Sequence, residues 1–194
     1  MQKCLDTRNC RYRNCSSACS YHSEASYLMS QNSLNVSAFN YDTSVECKIT
    51  NYYQRVLDSE RYVGHIIEPK RNVINAFVAR CIDMKYINNG HSTRVFTISA
   101  FDYMLCAKNQ YNKDSDMLQY KYIWANNCHI LILTGIDSMK WSEYDYVTWL
   151  QLIDSRTATS RLTFMFSSTS GTLMCSDSIR AALTRKLEEV QING

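Results

Sequence analysis

One apolar segment constrains the fold more than any other part of the chain. Residues 130–133 are four consecutive aliphatic residues, Ile-Leu-Ile-Leu, and they are followed by Thr134 and Gly135. A strand with one face in water alternates apolar and polar residues, whereas this run is apolar on both faces. We therefore predict a strand in the middle of a sheet that is covered on both sides.

The residues after this strand predict a helix and a second strand. Apolar residues recur at helical spacing over residues 141–153, with Ser142 placed as the N-cap. A polar turn is expected over residues 155–160, and residues 162–166 form another apolar strand. Strand, helix and strand make a βαβ unit, whose right-handed crossover makes the two strands parallel.

The remaining periodicity predicts the rest of an α/β domain. We expect strands over residues 61–67 and 93–99, and helices over residues 49–57, 73–86, 100–109, 117–126 and 179–190. The chain has 194 residues, 45% of them hydrophobic, which suits one such domain with a small appendage. We assign residues 36–194 to a three-layer α/β domain with a parallel sheet, and residues 1–35 to an N-terminal module.

Four of the nine cysteines lie within that module, at Cys4, Cys10, Cys15 and Cys19. The segment has too few apolar residues for a core of its own, and a structural Zn²⁺ contributes about 10–16 kcal/mol in small peptides. We predict a four-cysteine zinc site. His22 in place of one thiolate, an iron–sulfur cluster and free thiols are the alternatives. The other five cysteines are predicted to pack in the core; they are Cys47, Cys81, Cys106, Cys128 and Cys175.

Net charge and hydropathy limit the partners and the cellular compartment that we expect for the chain. The net charge of +3 is too mild to indicate nucleic-acid binding by itself. There is no apolar run near the roughly 20 residues that cross a bilayer and no charged-then-apolar leader, so we expect a cytoplasmic protein without membrane contact.

The carboxyl ends of the predicted strands are where an open α/β sheet binds ligands. The strand, loop and helix over residues 61–86 have the placement of a phosphate-binding loop. The loop has no glycine after Gly64, and Val73 and Ile74 stand where lysine and a hydroxyl residue are needed. Thr134 and Gly135 likewise follow the central strand where a nucleotide hydrolase has acids for Mg²⁺.

The order of these parts resembles the AAA+ helicase loaders related to DnaC, in particular a phage-encoded branch of DnaC-like ATP-binding proteins. In that branch a cysteine cluster precedes the ATPase core. The resemblance covers nearly the whole chain and extends through the cysteine cluster and residues 27–34, 62–86, 95–105 and 130–168. Within the last range, Leu150, Ile153, Asp154 and Arg156 follow the loader pattern.

The resemblance implies a degenerate nucleotide site. The phosphate-loop remnants are Pro69, Lys70, Val73 and Ile74, and the metal-binding acids are replaced by Thr134 and Gly135, with Asp137 two positions late. The polar sensor falls near Ser168 or Thr169, and Arg185 or its neighbour Lys186 is a candidate arginine finger. Loss of one positioned electrostatic group costs about 2.7–4 kcal/mol in barrier height, so we expect no hydrolysis of ATP with Mg²⁺.

These implications lead to a functional hypothesis with alternatives. We expect a catalytically inactive loader-like protein that binds a replicative helicase or an active loader subunit in DNA replication, in a hetero- or homo-oligomer, in the host cytoplasm if phage-encoded. One alternative is a phage or mobile-element inhibitor of helicase loading. Another is a weak ATP-binding AAA+ protein that uses Lys70 and Asp137.

A nucleic-acid-binding module is the last alternative. It would make a weak contact with single-stranded DNA through tyrosines and the basic residues Arg8, Arg11, Arg13, Lys70 and Arg71. The silenced-site hypothesis also makes a geometric prediction, which is that the segments at Val73 and Thr134 end neighbouring parallel strands.

Overall fold

A computed structural model describes residues 43–67, 73–78, 80–81, 94–112, 115–138, 140–167 and 188–191. Several predicted features lie outside these residues, and they stay predictions. They are the module of residues 1–35 with its ligands Cys4, Cys10, Cys15 and Cys19, and the site residues Pro69, Lys70, Ser168, Thr169, Arg185 and Lys186.

The described residues form a five-stranded sheet. The strands are β1 (Val63–Ile67), β2 (Val95–Ser99), β3 (Ile130–Thr134), β4 (Leu162–Ser167) and β5 (Glu188–Gln191). Their order across the sheet is β2-β3-β4-β1-β5, and each neighbouring pair is parallel. The predicted parallel sheet is confirmed, with the apolar run of β3 between β2 and β4.

Helices cover both faces of the sheet. They are α1 (Thr43–Asp58), α2 (residues 73–78 and 80–81), α3 (Ala100–Lys108), α4 (Asp116–Asn127), a 3₁₀ turn (Ile136–Ser138) and α5 (Glu143–Ala158). Side chains of α1 and α2 pack on Ile132, Phe164 and Phe166 on one face. Side chains of α3, α4 and α5 pack on Leu131 and Leu133 on the other. This arrangement confirms the predicted three layers, and no helix in the described ranges is long and apolar enough to cross a membrane.

Two predicted boundaries are wrong. Helix α5 continues to Ala158 through most of the expected polar turn, because Arg156 faces inward and is fully buried. Residues 188–191 form β5 where the end of a helix was expected. Val190 lies opposite Ile66 in the sheet, so pairing with a distant strand overrides local helical periodicity there.

The prediction that Val73 and Thr134 follow neighbouring strands is also wrong. Strand β4 enters between β1 and β3 and pairs with both, so β1 and β3 are separated by two strand spacings, about 9–10 Å. The helical connections between parallel strands are long enough to cross over a strand, so the order of strands in the sheet need not follow their order in the chain. Strand β4 can therefore lie between β1 and β3. The carboxyl ends of all three strands still meet at one edge of the sheet, so the hypothesis keeps the shared edge that it needs and loses only the requirement that β1 and β3 be neighbours.

The isolated cysteines divide by burial. Cys81, Cys106 and Cys128 are buried, as predicted for small apolar side chains, and burial raises the pKa of each thiol. Cys47 is exposed on α1, so the packing role predicted for it is wrong.

Candidate functional site

The carboxyl edge of the sheet is the candidate ligand site, because open α/β sheets bind ligands beyond the carboxyl ends of their strands. It contains the ends of β1, β3 and β4, and it receives Thr134, Gly135 and Asp137 directly from β3. Across the sheet, Ser99 lies opposite Thr134 and Ser167 lies opposite Ile67. The structure therefore brings the residues that follow β3 to the edge where the sequence predicts a site.

The end of β3 has short or apolar side chains where an acid pair would bind Mg²⁺. Thr134 is half-buried, and Gly135 adopts a φ of 65°, which turns the chain into the 3₁₀ helix. Ile136 is buried in the core shared with α3 and α5. Asp137 is exposed, so the carboxylate two positions late lies on the outer side of the turn.

The start of α2 is also occupied by apolar side chains. Val73 is 2% exposed and belongs to the core beneath α1 and α2, and Ile74 packs against the same core. An aliphatic side chain offers neither the charge nor the hydrogen bonds that a phosphate group needs. The two positions that the resemblance equates with lysine and a hydroxyl residue thus contribute to packing.

Gly64, the last glycine before the predicted phosphate-binding loop, lies inside β1, within the predicted strand. A Cβ atom added there would lie 2.6 Å from the Tyr52 hydroxyl, 2.8 Å from Phe164 Cδ1 and 3.0 Å from Val56 Cγ2. Tyr52 also donates its hydroxyl hydrogen to the His65 carbonyl oxygen over 3.2 Å. The glycine allows α1 to lie directly on the strand.

Three polar side chains at this edge, those of His65, Ser167 and Ser99, have structural partners. His65 Nε2 and Ser167 Oγ form a 2.8 Å hydrogen bond between β1 and β4, with both residues buried. Ser99 Oγ accepts the Asp102 amide hydrogen at 3.0 Å and caps α3. The His65–Ser167 pair was missed from sequence, although a polar residue inside an apolar strand, as His65 is in β1, is a usable signal.

Trp141 connects the turn after β3 to α5. Trp141 donates its indole N–H to the Ile136 carbonyl oxygen over 2.7 Å. Its ring lies 5.2 Å from the Tyr146 ring and 4.4 Å from the Trp149 ring, measured between centroids. This packing fixes the conformation of the turn that presents Asp137.

Asp145 anchors the start of α5. Ser142 and Asp145 form a capping box, and Lys108 Nζ of α3 lies 2.9 Å from Asp145 Oδ1. Burial acts to raise the pKa of the Asp145 carboxyl, but hydrogen bonds from Ser142 and Lys108 outweigh it and lower the pKa below its ordinary value. Asp145 thus joins α3 to α5.

No cluster of three or more histidine, cysteine, aspartate or glutamate side chains within the described ranges is arranged to hold a metal ion. Of the site residues predicted from sequence, the structure brings Thr134, Gly135 and Asp137 to the same edge as the end of β1. Val73 lies in the core and Ile74 packs against it, so both side chains take part in packing.

The sequence matches no protein-family profile and no curated protein. Among solved structures, the fold is similar to the DnaC helicase loader, with a TM-score of 0.55, 15% identity, and coverage of 86% of this chain and 99% of that one. It is also similar to a DNA replication initiation factor, with a TM-score of 0.57, 12% identity, and coverage of 80% and 48%. AMPPCP-bound DnaA from Aquifex aeolicus gives a TM-score of 0.57, 11% identity, and coverage of 80% and 49%.

These matches establish the fold. The chain has an AAA+-like α/β fold similar to those of the loader and the two initiators. It spans about half the length of each initiator and almost all of the loader.

Proposed function

We propose that this chain is a catalytically inactive relative of helicase loaders that binds a replicative helicase or an active loader subunit during DNA replication. The observation that carries the proposal is an AAA+-like body whose β3 ends in Thr134 and Gly135 and whose α2 begins with the core residues Val73 and Ile74. The protein is expected to act through its surfaces.

The chemistry of phosphoryl transfer supports the inactive part of the proposal. Transfer depends on cations that neutralise charge on the phosphoryl oxygens, and Mg²⁺ is held by carboxylates in such sites. Thr134 and Gly135 supply no carboxylate, and Val73 supplies no cation. Loss of one such group lowers the rate about 10²–10³-fold.

Nucleotide binding tests this part directly. We expect calorimetric titration of the full chain with ATP and Mg²⁺ to give no saturable heat at micromolar nucleotide, and we expect no phosphate release above that of a heat-inactivated sample. A micromolar, Mg²⁺-dependent affinity would overturn the inactive assignment and favour the weak ATP-binding alternative with Lys70 and Asp137.

Likeness to a helicase loader over 86% of this chain supports the binding part. The test is a pull-down of purified replicative helicase, and separately of an active loader, by the tagged full chain. We expect capture of at least one of them. Failure to bind either would overturn the proposal.

The predicted zinc module gives a matched pair of variants. Cys10→Ser removes a predicted ligand, and Cys47→Ser removes an exposed thiol on α1 as the control. The proposal places the partner contact on this module and its flanking segment, so we expect Cys10→Ser to lose both bound zinc and helicase or loader capture. We expect Cys47→Ser to retain both. A helicase-loading assay then separates a loading role, which increases loaded helicase, from the inhibitor alternative, which decreases it.

A further inference from the structure

A cavity lies between α3, α4 and α5, on the face of the sheet that these helices cover. Its volume is about 300 Å³, which falls at the lower end of the roughly 300–1,000 Å³ typical of small-molecule sites. None of the described residues that follow β3 at the carboxyl edge, Thr134, Gly135 and Asp137, lines it. The cavity is therefore distinct from the candidate nucleotide site.

The cavity has a buried floor and an exposed rim. Tyr103 of α3 and Leu152 of α5 are each 2% exposed and form the floor. Tyr144 and Val147, near the start of α5, are 56% and 47% exposed and form the rim, together with the exposed Gln151 one turn later. A small molecule can therefore enter from solvent and lose most of its contact with water at the floor.

Two tyrosine side chains form a flat wall inside the cavity. The rings of Tyr103 and Tyr122 are stacked, with centroids 6.0 Å apart and planes inclined at 22°. Burial raises the pKa of both hydroxyl groups, and the Asn126 carboxamide opposes that shift. Both phenols therefore stay protonated and uncharged at neutral pH. Aromatic rings pack on one another at centroid distances of about 4.5–7 Å, so this wall suits a planar aromatic ligand.

Hydroxyl groups of α5 supply hydrogen-bond acceptors. Thr148 Oγ1 donates to the Tyr144 carbonyl oxygen over 2.9 Å, and Ser155 Oγ donates to the Leu152 carbonyl oxygen over 3.0 Å. A hydroxyl whose hydrogen is used in this way still has lone pairs that accept a hydrogen bond. Both side chains line the cavity, so each offers an acceptor to an N–H group of a ligand.

Carboxamide groups supply donors as well as acceptors. The side chains of Gln110 and Gln151 line the cavity and make no hydrogen bond within the described part of the chain. Asn126 Nδ2 donates to the Tyr122 carbonyl oxygen over 2.8 Å, which uses one of its two hydrogens. A carboxamide presents a donor and an acceptor side by side, so it pairs with an amide or a ring nitrogen at the edge of a ligand.

The described lining of the cavity carries no charge. Ten side chains in the described part of the chain line it, and all are tyrosine, glutamine, asparagine, serine, threonine, valine or leucine. Lys108 lies next to the rim, with its ammonium group 6.0 Å from the centroid of the Tyr144 ring, but it is paired with Asp145 at 2.9 Å. A charged ligand would lose its hydration without gaining a counterion, and a purely apolar ligand would leave hydroxyl and carboxamide groups unpaired.

We propose that this cavity binds an uncharged, planar aromatic molecule with an amide or a ring nitrogen at its edge. The ring packs against Tyr103 and Tyr122, and the polar edge hydrogen-bonds to the carboxamides and hydroxyls of α4 and α5. Such a ligand contacts three helices at once and binds only the folded chain, so it stabilises the fold by mass action. This site is independent of the helicase or loader contact proposed above, and either can fail without the other.

Nicotinamide and nicotinate test the proposal as a matched pair. Both have the same pyridine ring, and nicotinate carries a carboxylate in place of the uncharged amide. Binding to the full chain is measured by saturation-transfer NMR of the ligand and by thermal melting. We expect nicotinamide to bind saturably at millimolar concentration or below and to raise the melting temperature. We expect nicotinate to bind at least about tenfold more weakly, because the cavity offers its charge no counterion.

Two pairs of variants place the binding in the cavity. Val147→Trp fills the rim, and Leu57→Trp adds the same ring to an exposed position of α1, on the other face of the sheet. Gln151→Leu removes a carboxamide from the cavity, and Gln54→Leu removes an exposed one from α1. One hydrogen bond contributes about fivefold in affinity, so we expect Gln151→Leu to weaken nicotinamide binding about fivefold and Val147→Trp about tenfold or more. Both α1 variants should retain the parent affinity.

Any of three results would overturn the proposal. They are the absence of saturable nicotinamide binding at millimolar concentration, nicotinate binding as tight as that of nicotinamide, and nicotinamide affinities that are the same in the cavity variants as in their α1 controls. Thermal melts of the unliganded variants establish folding before affinities are compared. If Val147→Trp does not fold, Gln151→Leu alone decides, because its side chain is exposed and contributes little to stability.

Discussion

Arg156 is the residue whose replacement should affect stability most. Its Nη1 donates to the carbonyl oxygens of Ala125 and Cys128 over 2.8 and 3.0 Å, and its Nη2 donates to the Leu162 carbonyl oxygen over 2.6 Å. Its Nε donates to Thr163 Oγ1 over 2.8 Å. One guanidinium therefore connects the end of α4 and the start of β4 to α5.

The acceptors at α4 explain why a cation is tolerated there. The last carbonyl groups of a helix have no intrahelical donor, and a positive charge near them complements the helix dipole. Helix α4 has no basic residue in its own last turn, so Arg156 supplies both the donors and the charge from another helix. Burial lowers the pKa of this guanidinium, and the neighbouring Cys128 thiol opposes that shift.

The substitution Arg156→Met keeps much of the side-chain volume and removes every donor. At least three buried carbonyl oxygens then lose a partner, at about 1–3 kcal/mol each, while the cost of burying the cation disappears. We expect a net loss of about 3–5 kcal/mol in the free energy of unfolding, which is a large part of the 5–15 kcal/mol of a typical domain. Arg156→Lys should lose less, because one ammonium keeps the charge but cannot reach both α4 and β4.

Urea unfolding followed by tryptophan fluorescence measures the effect. With a slope of about 2 kcal/mol per molar urea, the midpoint for Arg156→Met should fall by about 1.5–2.5 M. Arg55→Met replaces an exposed side chain of α1 and is the control, which should change stability by less than about 0.5 kcal/mol. If Arg156→Met unfolds within about 1 kcal/mol of the parent, the hydrogen bonds only offset the burial cost and our reasoning is wrong.

Three further substitutions test single contacts. Gly64→Ala should destabilise the domain by about 1–3 kcal/mol in urea unfolding because its Cβ would meet the Tyr52 hydroxyl, and adding Tyr52→Phe should recover part of that loss. Asp145→Asn should lower the free energy of unfolding by about 1–2 kcal/mol at neutral pH, because it removes the ion pair with Lys108. Since the folded-state pKa is lowered, this contribution is present above the unfolded pKa and is lost as the pH falls through the folded value, so urea midpoints of variant and parent should converge in acid. Ser142→Ala should cost about 1 kcal/mol by thermal melting, and no change would contradict its capping role.

Local patterns in the sequence were sufficient for the elements that depend on local rules. The run at residues 130–133 predicted a doubly covered strand, and all four residues are buried in β3. Ser142 was predicted as an N-cap, and its hydroxyl accepts the Asp145 amide hydrogen at 3.3 Å. A continuous apolar run and a helix cap both depend on residues close together in the chain, so one sequence shows them.

Features that depend on distant residues could not be predicted in the same way. Strand β5 exists because Val190 pairs with Ile66, and its own spacing resembles a helix. The residue type of Arg156 favoured an exposed turn, and only the open carbonyls of α4 explain its burial.

Under the proposed function, the candidate nucleotide edge has lost its site without a loss of stability. Catalytic side chains at strand ends are held for function, and they often cost stability. Val73 is instead 2% exposed, and full burial of an aliphatic side chain contributes about 1.5–3 kcal/mol. A lysine whose ammonium was buried at that place would cost several kcal/mol. Under the proposed function, packing at Val73 and the His65–Ser167 bond stabilise an edge that no longer needs to hold charged phosphate, and selection then acts on the surfaces that bind partners.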